Sequence, residues 1–336
     1  MNAPAIVPAV KTPNAMEILS QLLEGELAQT EVEISSQMMS NVGLIPDVAH
    51  HLVDAGGKRL RPLLTLAAAK MCGAVGKPAI KLAAAVEFIH SATLLHDDVV
   101  DGSNLRRGQK AANLIWGDKA SVLVGDFLFA RAFRMMVATN SLRILEILAR
   151  TSSVIAEGEV LQLASTSAGT AKRETYFEVI SSKTAALFAA ATECGAICAS
   201  ADEDTIDAFR IYGQELGMAF QLADDALDYG GITQELGKRV GDDFREGKAT
   251  FPLIAALEKA DDKQNEFWKK VLARKHSDED LYTALTYIKQ TGAIEATLNE
   301  AQSRADLAKA ALDNLADSDI KQALISLADM VVSRIR

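Results

Sequence analysis

Two five-residue segments carry most of the readable chemistry: Asp97-Asp98-Val99-Val100-Asp101 and Asp224-Asp225-Ala226-Leu227-Asp228, 127 residues apart. The chain has 24 aspartates in 336 residues. Random placement would give only ~0.1 copies of Asp-Asp-x-x-Asp. Each segment closes an apolar stretch, Ala92 to Leu95 before the first and Gly217 to Phe220 before the second. On a helix, residues i and i+4 share a face, so Asp97 stacks over Asp101 and Asp224 over Asp228. Asp98 and Asp225 point about 100° away. Carboxylates near a helix C-terminus are opposed by the dipole and by one another. Held half-buried, they need cations. Oxygen ligands without His or Cys point to Mg²⁺, which takes carboxylates, waters and substrate phosphates. Two solvated acidic helix ends are the plain alternative, and the apolar flanks and the duplication weigh against it. A calcium loop would need a glycine-centred ligand order, and a di-iron bundle would need Glu-x-x-His pairs.

Basic residues supply the other half of a site. Gly56-Gly57-Lys58-Arg59-Leu60-Arg61-Pro62 sets Lys58 and Arg61 at a loop-to-helix junction, where backbone N–H groups favour an anion. Arg106 and Arg107 follow the first aspartate cluster between Gly102 and Gly108. Arginine forks match phosphate oxygens in pairs. Lys183-Thr184 precedes a long apolar run, and Lys238 and Lys248 flank Gly241-Asp242-Asp243. Singly, each of these reads as a solvated charge. Together they predict two anionic sites: a diphosphate clamped by Mg²⁺ between the aspartate clusters, and a second diphosphate held by basic side chains without metal. His90 and His96 lie near the first cluster, where a lone helical histidine is usually structural.

The elements that must position these groups are helices. No proline occurs from Ala79 to Phe251, nor from Leu253 to Arg336, and proline costs about 3 kcal/mol inside a helix. Apolar residues recur at spacings of three and four, as in Val122, Phe129, Phe133 and Met136. No Asn-Gly or Asp-Gly hairpin signal sits between alternating runs. The pattern predicts helices near 16–40, 46–55, 61–72, 78–99, 119–137, 141–164, 172–200, 202–229 and 250–260, with three or four more beyond. Thr170 or Ser200 could cap the two long central ones. The fold class is all-α: one large helical bundle around a deep central cavity. Residues 1–15 read as a flexible tail and 16–336 as a single all-helical domain.

Composition limits the remaining choices. The net charge of −10 argues against nucleic-acid binding, which needs a basic face. Cys72, Cys194 and Cys198 cannot make a full disulfide set and read as buried thiols in a reducing, cytoplasmic setting. No run of 18 apolar residues predicts a transmembrane helix, and the proline-bearing N-terminus does not read as a signal peptide or an anchor.

The sequence resembles the all-trans polyprenyl diphosphate synthases from about Gly25 to the C-terminus. The likeness rests on Gly-Gly-Lys-Arg-Leu-Arg-Pro at 56–62, Leu-Leu-His-Asp-Asp-Val-Val-Asp at 94–101, Leu-Arg-Arg-Gly at 105–108, Gly-Glu-Val-Leu-Gln-Leu at 158–163, Lys-Thr at 183–184 and Phe-Gln-Leu-Ala-Asp-Asp-Ala-Leu-Asp-Tyr at 220–229. It is most similar to long-chain bacterial members, the octaprenyl and decaprenyl synthases that make ubiquinone side chains. The resemblance implies a homodimeric, Mg²⁺-dependent prenyltransferase, with three ions when substrate is bound. It also implies isopentenyl diphosphate and an allylic diphosphate such as farnesyl diphosphate as substrates, and transient membrane contact when product leaves. Asp97, Asp101 and Asp224 would bind metal, with Asp98, Asp225 and Asp228 in support. Arg106, Lys183, Gln221, Lys238 and Lys248 would contact the allylic diphosphate. Lys58, Arg61, His90 and Arg107 would bind isopentenyl diphosphate, and Thr184, Gln221 and the Lys183 carbonyl would face developing positive charge. One departure from the family pattern is Gly102-Ser103-Asn104, where an acidic residue is expected. The rival readings are a shorter-chain (farnesyl or geranylgeranyl) synthase, a class I terpene cyclase, and a regulatory subunit of a heteromeric synthase.

A growing chain would run from the metal site into the bundle, past Thr93, Ala92, Ile89 and Phe88 on the helix before Asp97. Thr93 and Ala92 are small, which leaves room for a long product. Ala83, Ala84 and Ala85 would keep the shaft open further down, and Phe129, Phe133, Met135 and Met136 would close it. Ala92→Tyr is therefore expected to block the shaft within one turn of about 5.4 Å and shorten the product to roughly three or four isoprene units. Chromatography of the products tests this, and an unchanged ladder would refute the direction assigned to the shaft.

Overall fold

The computed structural model describes residues 13–74, 76–230 and 241–333. The chain forms α1 (Ala15–Leu22), α2 (Glu24–Met38), α3 (Leu44–Asp54), α4 (Leu60–Met71) and α5 (Lys77–Val100). A hairpin of β1 (Leu105–Arg106) and β2 (Gln109–Lys110) leads to α6 (Ala112–Trp116), α7 (Asp118–Val137) and α8 (Leu142–Ser167). Then come α9 (Arg173–Ile180), a π-helical segment (Ser181–Ala185), α10 (Ala186–Cys198) and α11 (Glu203–Gly230). The remainder is α12 (Asp242–Arg245), α13 (Phe251–Leu257), α14 (Asp262–Leu272), α15 (Asp280–Thr291), α16 (Ala293–Ala311) and α17 (Asp319–Ser333).

The helix at the centre is α10. Every residue from Leu187 to Ala196 is buried, as expected for a helix apolar all round. One side of it, with Phe188 and Ala196, joins a core shared with α1, α4, α11 and α13 to α17. The other side, with Leu187, Ala190, Ala191 and Cys194, joins a core shared with α2, α3, α5, α7 and α8. By length and hydropathy α5 would be able to cross a membrane, but 72% of its apolar window is buried inside the protein. It is a core helix.

Several local expectations change. The helix expected over 16–40 breaks at Leu23, whose side chain is fully buried. Gly25, in the first turn of α2, lies two residues beyond it. The helix expected over 172–200 is interrupted by the π segment. Thr170 caps nothing: Lys172 stands at the N-cap of α9 without a side-chain cap bond, and the Thr170 hydroxyl donates to Ser165 O. Asp202, not Ser200, accepts from the backbone of Thr205 at the start of α11. The hairpin was not anticipated. Its turn residues, Arg107 (φ 52°) and Gly108 (φ 77°), both have positive φ, the geometry usually signalled by Asn-Gly. The Val122-to-Met136 stripe is also not uniformly interior, since Met136 is buried while Phe133 is 41% exposed. Residues 1–12 of the expected tail lie outside the described residues, and Asn14 caps α1 through Glu17 N.

The packing of α10 against α11 is set by close backbone approach. A Cβ at Gly213 would stand 2.3 Å from Thr192 Oγ1 and 2.5 Å from the Phe188 carbonyl oxygen. The Thr192 hydroxyl crosses this contact to Phe209 O at 2.6 Å. Gly213→Val is expected to force the helices apart and cost about 2–3 kcal/mol, read as a lower melting midpoint. An unchanged midpoint would contradict this spacing.

Candidate active site

Both aspartate clusters end helices that open onto one cavity of about 700 Å³, lined by Asp97, Asp101, Asp224, Asp225 and Asp228. Arg106, Arg107, Lys183, Thr184, Gln221 and Lys248 line it as well. Two helix ends, the π segment, the hairpin and the loop after α12 therefore deliver the groups that the sequence singled out.

A chain of contacts ties the clusters together. Asp228 accepts from the backbone N–H groups of Asp242 and Asp243 at 3.1 and 3.2 Å, which anchors α12 to the end of α11. The loop after α12 carries Lys248, whose Nζ lies 3.0 Å from Asp101 and 2.6 Å from Glu246. The second cluster thus positions the lysine that meets the first. Burial works against the charge on Lys248, yet Asp101 and Glu246 hold its pKa above the ordinary lysine range. Lys183 makes a parallel contact from the π segment, 4.0 Å from Asp97, 2.6 Å from Glu159 and 2.9 Å from Gln162 Oε1. A π turn inserts one extra residue into the helical repeat and redirects its side chains. Lys183 and Thr184 are set into the cavity in this way.

The middle aspartates do different work. Asp98 is buried and accepts from Nε of Arg106 at 2.9 Å and from Nη2 of the same fork, while its Oδ2 has no partner. Asp225 accepts from the Tyr176 hydroxyl at 2.6 Å and from Gln221 Nε2 at 2.8 Å. Gln221 Oε1 in turn accepts from the Thr184 hydroxyl at 2.9 Å. Asp98 and Asp225 position neighbours, in keeping with their offset of about 100° from the cluster face.

Burial raises the carboxyl pKa values here. It is the largest effect on Asp97 and pushes it up to about 7, with Lys183 opposing and Glu159 and Asp101 adding. Asp225 is likewise pushed up to about 7 by burial, against its bonds from Tyr176 and Gln221. Asp243 rises well above the usual range through burial and through Asp228. All-oxygen donors with raised affinity for protons suit a hard divalent cation. Among the described residues no three ligating side chains converge closely enough to hold an ion alone. That matches a cation that keeps waters and completes its shell with substrate phosphates.

A second, basic cluster adjoins this cavity. Arg61 lies 4.5 Å over the Phe188 ring, and its buried Nε has no partner. Burial lowers its pKa to about 10. His90 is driven well below its ordinary value by burial and then by Arg61 and Arg107, which keeps it neutral at pH 7. The Arg107 guanidinium lies against the backbone of Gly57, where a Cβ would come within 2.9 Å of Nη1. Arg59 is committed to structure: it bonds Glu31 at 2.7 Å, Glu87 at 3.1 Å and Val53 O at 3.0 Å. Lys58 is exposed on the same loop. An unpartnered donor within a cluster of like charge suits an anion.

Not every expected residue reaches the site. Phe88, Ile89 and Ala92 are fully buried in the core shared with α7 and α10, below the cavity, whose apolar lining on α5 is Leu94. Thr93 is half-buried and donates to His90 O. His96 lies against α7, 3.1 Å from Val122 O. Lys238 falls outside the described residues. Glu159, Gln162, Tyr176, Asp242 and Asp243 were given no role from sequence. Glu159 and Gln162 lay in a motif already noted, and their spacing of three on one helix was the available signal. Nothing local distinguished Tyr176.

An all-helical bundle with two aspartate-rich helix ends and a neighbouring basic cluster defines a diphosphate-handling enzyme of the isoprenoid synthase type. The polyprenyl synthetase family model matches residues 42–288. The octaprenyl diphosphate synthase of Escherichia coli K12 is 42% identical over 96% of this chain and 99% of its own. A polyprenyl synthase from Caulobacter crescentus, crystallised with calcium and isoprenyl diphosphate, superposes with a TM-score of 0.93 at 54% identity, covering 97% of this chain and 100% of that one. A decaprenyl diphosphate synthase from Rhodobacter capsulatus gives 0.91 at 50% identity, covering 96% and 99%. The chain belongs to the polyprenyl synthetase family, and it is a prenyltransferase.

Adding Mg²⁺ is expected to relieve the repulsion among these carboxylates and raise the melting midpoint. At ten times its Kd a bound ion contributes roughly 1.4 kcal/mol. Asp97→Asn should give a smaller rise in a thermal-shift titration. A midpoint indifferent to Mg²⁺ in the parent protein would count against a cation site here.

Proposed function

We propose that this chain condenses isopentenyl diphosphate repeatedly onto an allylic diphosphate such as farnesyl diphosphate. The product is an all-trans chain of octaprenyl to decaprenyl length, destined for a ubiquinone side chain. The observation that carries the reading is the single cavity lined by both aspartate clusters, with a separate basic cluster beside it.

In this reading Asp97, Asp101 and Asp224 hold Mg²⁺, three ions in the loaded enzyme, with Asp228 in support. Bound Mg²⁺ would neutralise the leaving diphosphate. Arg106, Lys183, Gln221, Lys238 and Lys248 hold the allylic diphosphate. Lys58, Arg61, His90 and Arg107 hold the isopentenyl diphosphate, with its double bond towards the allylic carbon. The allylic C–O bond breaks, and the double bond attacks to form the new C–C bond. The displaced proton leaves to the departed diphosphate. Thr184, Gln221 and the Lys183 carbonyl turn oxygen towards the transient positive charge, a dipolar stabilisation that strengthens in a water-poor site. The basic cluster has no use in a cyclase, which consumes one diphosphate.

The working unit is residues 16–336, in the cytoplasm and as a homodimer. Exposed apolar side chains along α6 to α8, among them Leu114, Leu123, Phe133, Val137, Leu142 and Val160, support burial against a second copy. The greasy product would leave through transient membrane contact. Ala92, Thr93, Phe88 and Ile89 would line the shaft once a growing chain displaces the packing that now buries Phe88, Ile89 and Ala92.

Incubation with farnesyl diphosphate, labelled isopentenyl diphosphate and Mg²⁺, followed by chromatography, tests the reading. Long-chain products are expected from the single purified polypeptide. Asp97→Ala and Asp224→Ala should each lower turnover by roughly two or more orders of magnitude with the fold retained. Products no longer than geranylgeranyl, or near-normal rates in either variant, would overturn it.

A further inference from the structure

Tyr176 has no counterpart among the residues assigned above, yet it starts a directed chain of hydrogen bonds that ends at the reacting centre. Its ring is buried at 6% exposure and packs against Phe177 and Phe251, with centroids 5.5 and 5.6 Å away. The hydroxyl donates to Asp225 Oδ2 at 2.6 Å. The other oxygen, Oδ1, accepts from Gln221 Nε2 at 2.8 Å. With both Asp225 oxygens accepting in this way, the carboxyl group sets which end of the Gln221 amide faces it. The amide oxygen is thereby aimed at Thr184, whose hydroxyl donates to it at 2.9 Å. A threonine hydroxyl has one proton and two lone pairs. With the proton committed to Gln221, only lone pairs remain for the cavity that Thr184 lines. The chain joins α9, α11 and the π segment, none of which fixes this polarity alone.

We propose that Tyr176 is a positioning residue. Acting through Asp225 and Gln221, it holds the Thr184 hydroxyl with its oxygen, not its hydrogen, towards the developing allylic cation. The proposal rests on the prenyl-transfer reading. Removing the phenol oxygen leaves Asp225 Oδ2 without this partner and lets the carboxylate turn. The amide then loses its enforced direction, and so does the hydroxyl. Of the residues assigned to the diphosphates only Gln221 is disturbed, so the effect falls mainly on the chemical step and much less on binding.

The test is steady-state kinetics of the full chain with farnesyl diphosphate, isopentenyl diphosphate and saturating Mg²⁺. Tyr176→Phe keeps the ring packing. It is expected to lower kcat roughly tenfold, as for one lost hydrogen bond expressed at the transition state, and to leave both KM values within about twofold. In a Thr184→Val background the same change should cost almost nothing, because residues acting as one unit are non-additive. A melting midpoint within a few degrees of the parent separates this effect from loss of structure. If Tyr176→Phe does not fold, Asp225→Asn takes its place in the same cycle with the same expected pattern. Parent-like kcat, a loss confined to KM, or additive losses in the double variant would overturn the proposal. An inactive parent protein would instead overturn the prenyl-transfer reading on which it rests.

Discussion

The organising constraint is the crowding of carboxylates at the ends of two helices that both pack against α10. Asp97 and Asp101 close α5, while Asp224 and Asp228 lie near the end of α11, and both pairs open onto one partly buried cavity. Such a group cannot persist without positive charge. The protein supplies it from other elements: Lys183 from the π segment, Lys248 from the loop after α12 and Arg106 from the hairpin. Lys183 and Lys248 lie against carboxylate oxygens that a metal cation would also seek.

Two devices give the cavity its directions. The first is the division of labour within each aspartate motif. The i and i+4 residues face the cavity, and the middle one holds a neighbour, Arg106 for Asp98 and Gln221 for Asp225, which also borders the cavity. The second is the interruption between α9 and α10. Without the extra residue of the π turn, Lys183 and Thr184 would continue the helical repeat of α9 into the core.

The basic cluster follows a related logic. Three charged residues stand in the Lys58-Arg59-Leu60-Arg61 run, but Arg59 is held by Glu31, Glu87 and Val53 O. These contacts of Arg59 pin the loop that carries Lys58 and leads to Arg61. Gly57 contributes by omission of a side chain, because the Arg107 guanidinium occupies the space a Cβ would need.

Much of the site was legible from the sequence because its chemistry depends on local spacing. The i, i+4 aspartates, the helical periodicity and the absence of proline each fix local geometry regardless of what packs nearby. The all-helical class and the facing carboxylates follow from these. What the sequence did not show depends on contacts distant along the chain. The hairpin turn uses Arg107 where Asn would signal it. The π segment is invisible to a 3.6-residue period. Tyr176 looks like any core aromatic until its hydroxyl meets Asp225, 49 residues away. Residue types and spacing thus determined which charges exist and which share a face. Only the packing of α5, α10 and α11 decided that those faces meet, because long-range burial and repulsion act on the assembled chain and not on any one segment of it.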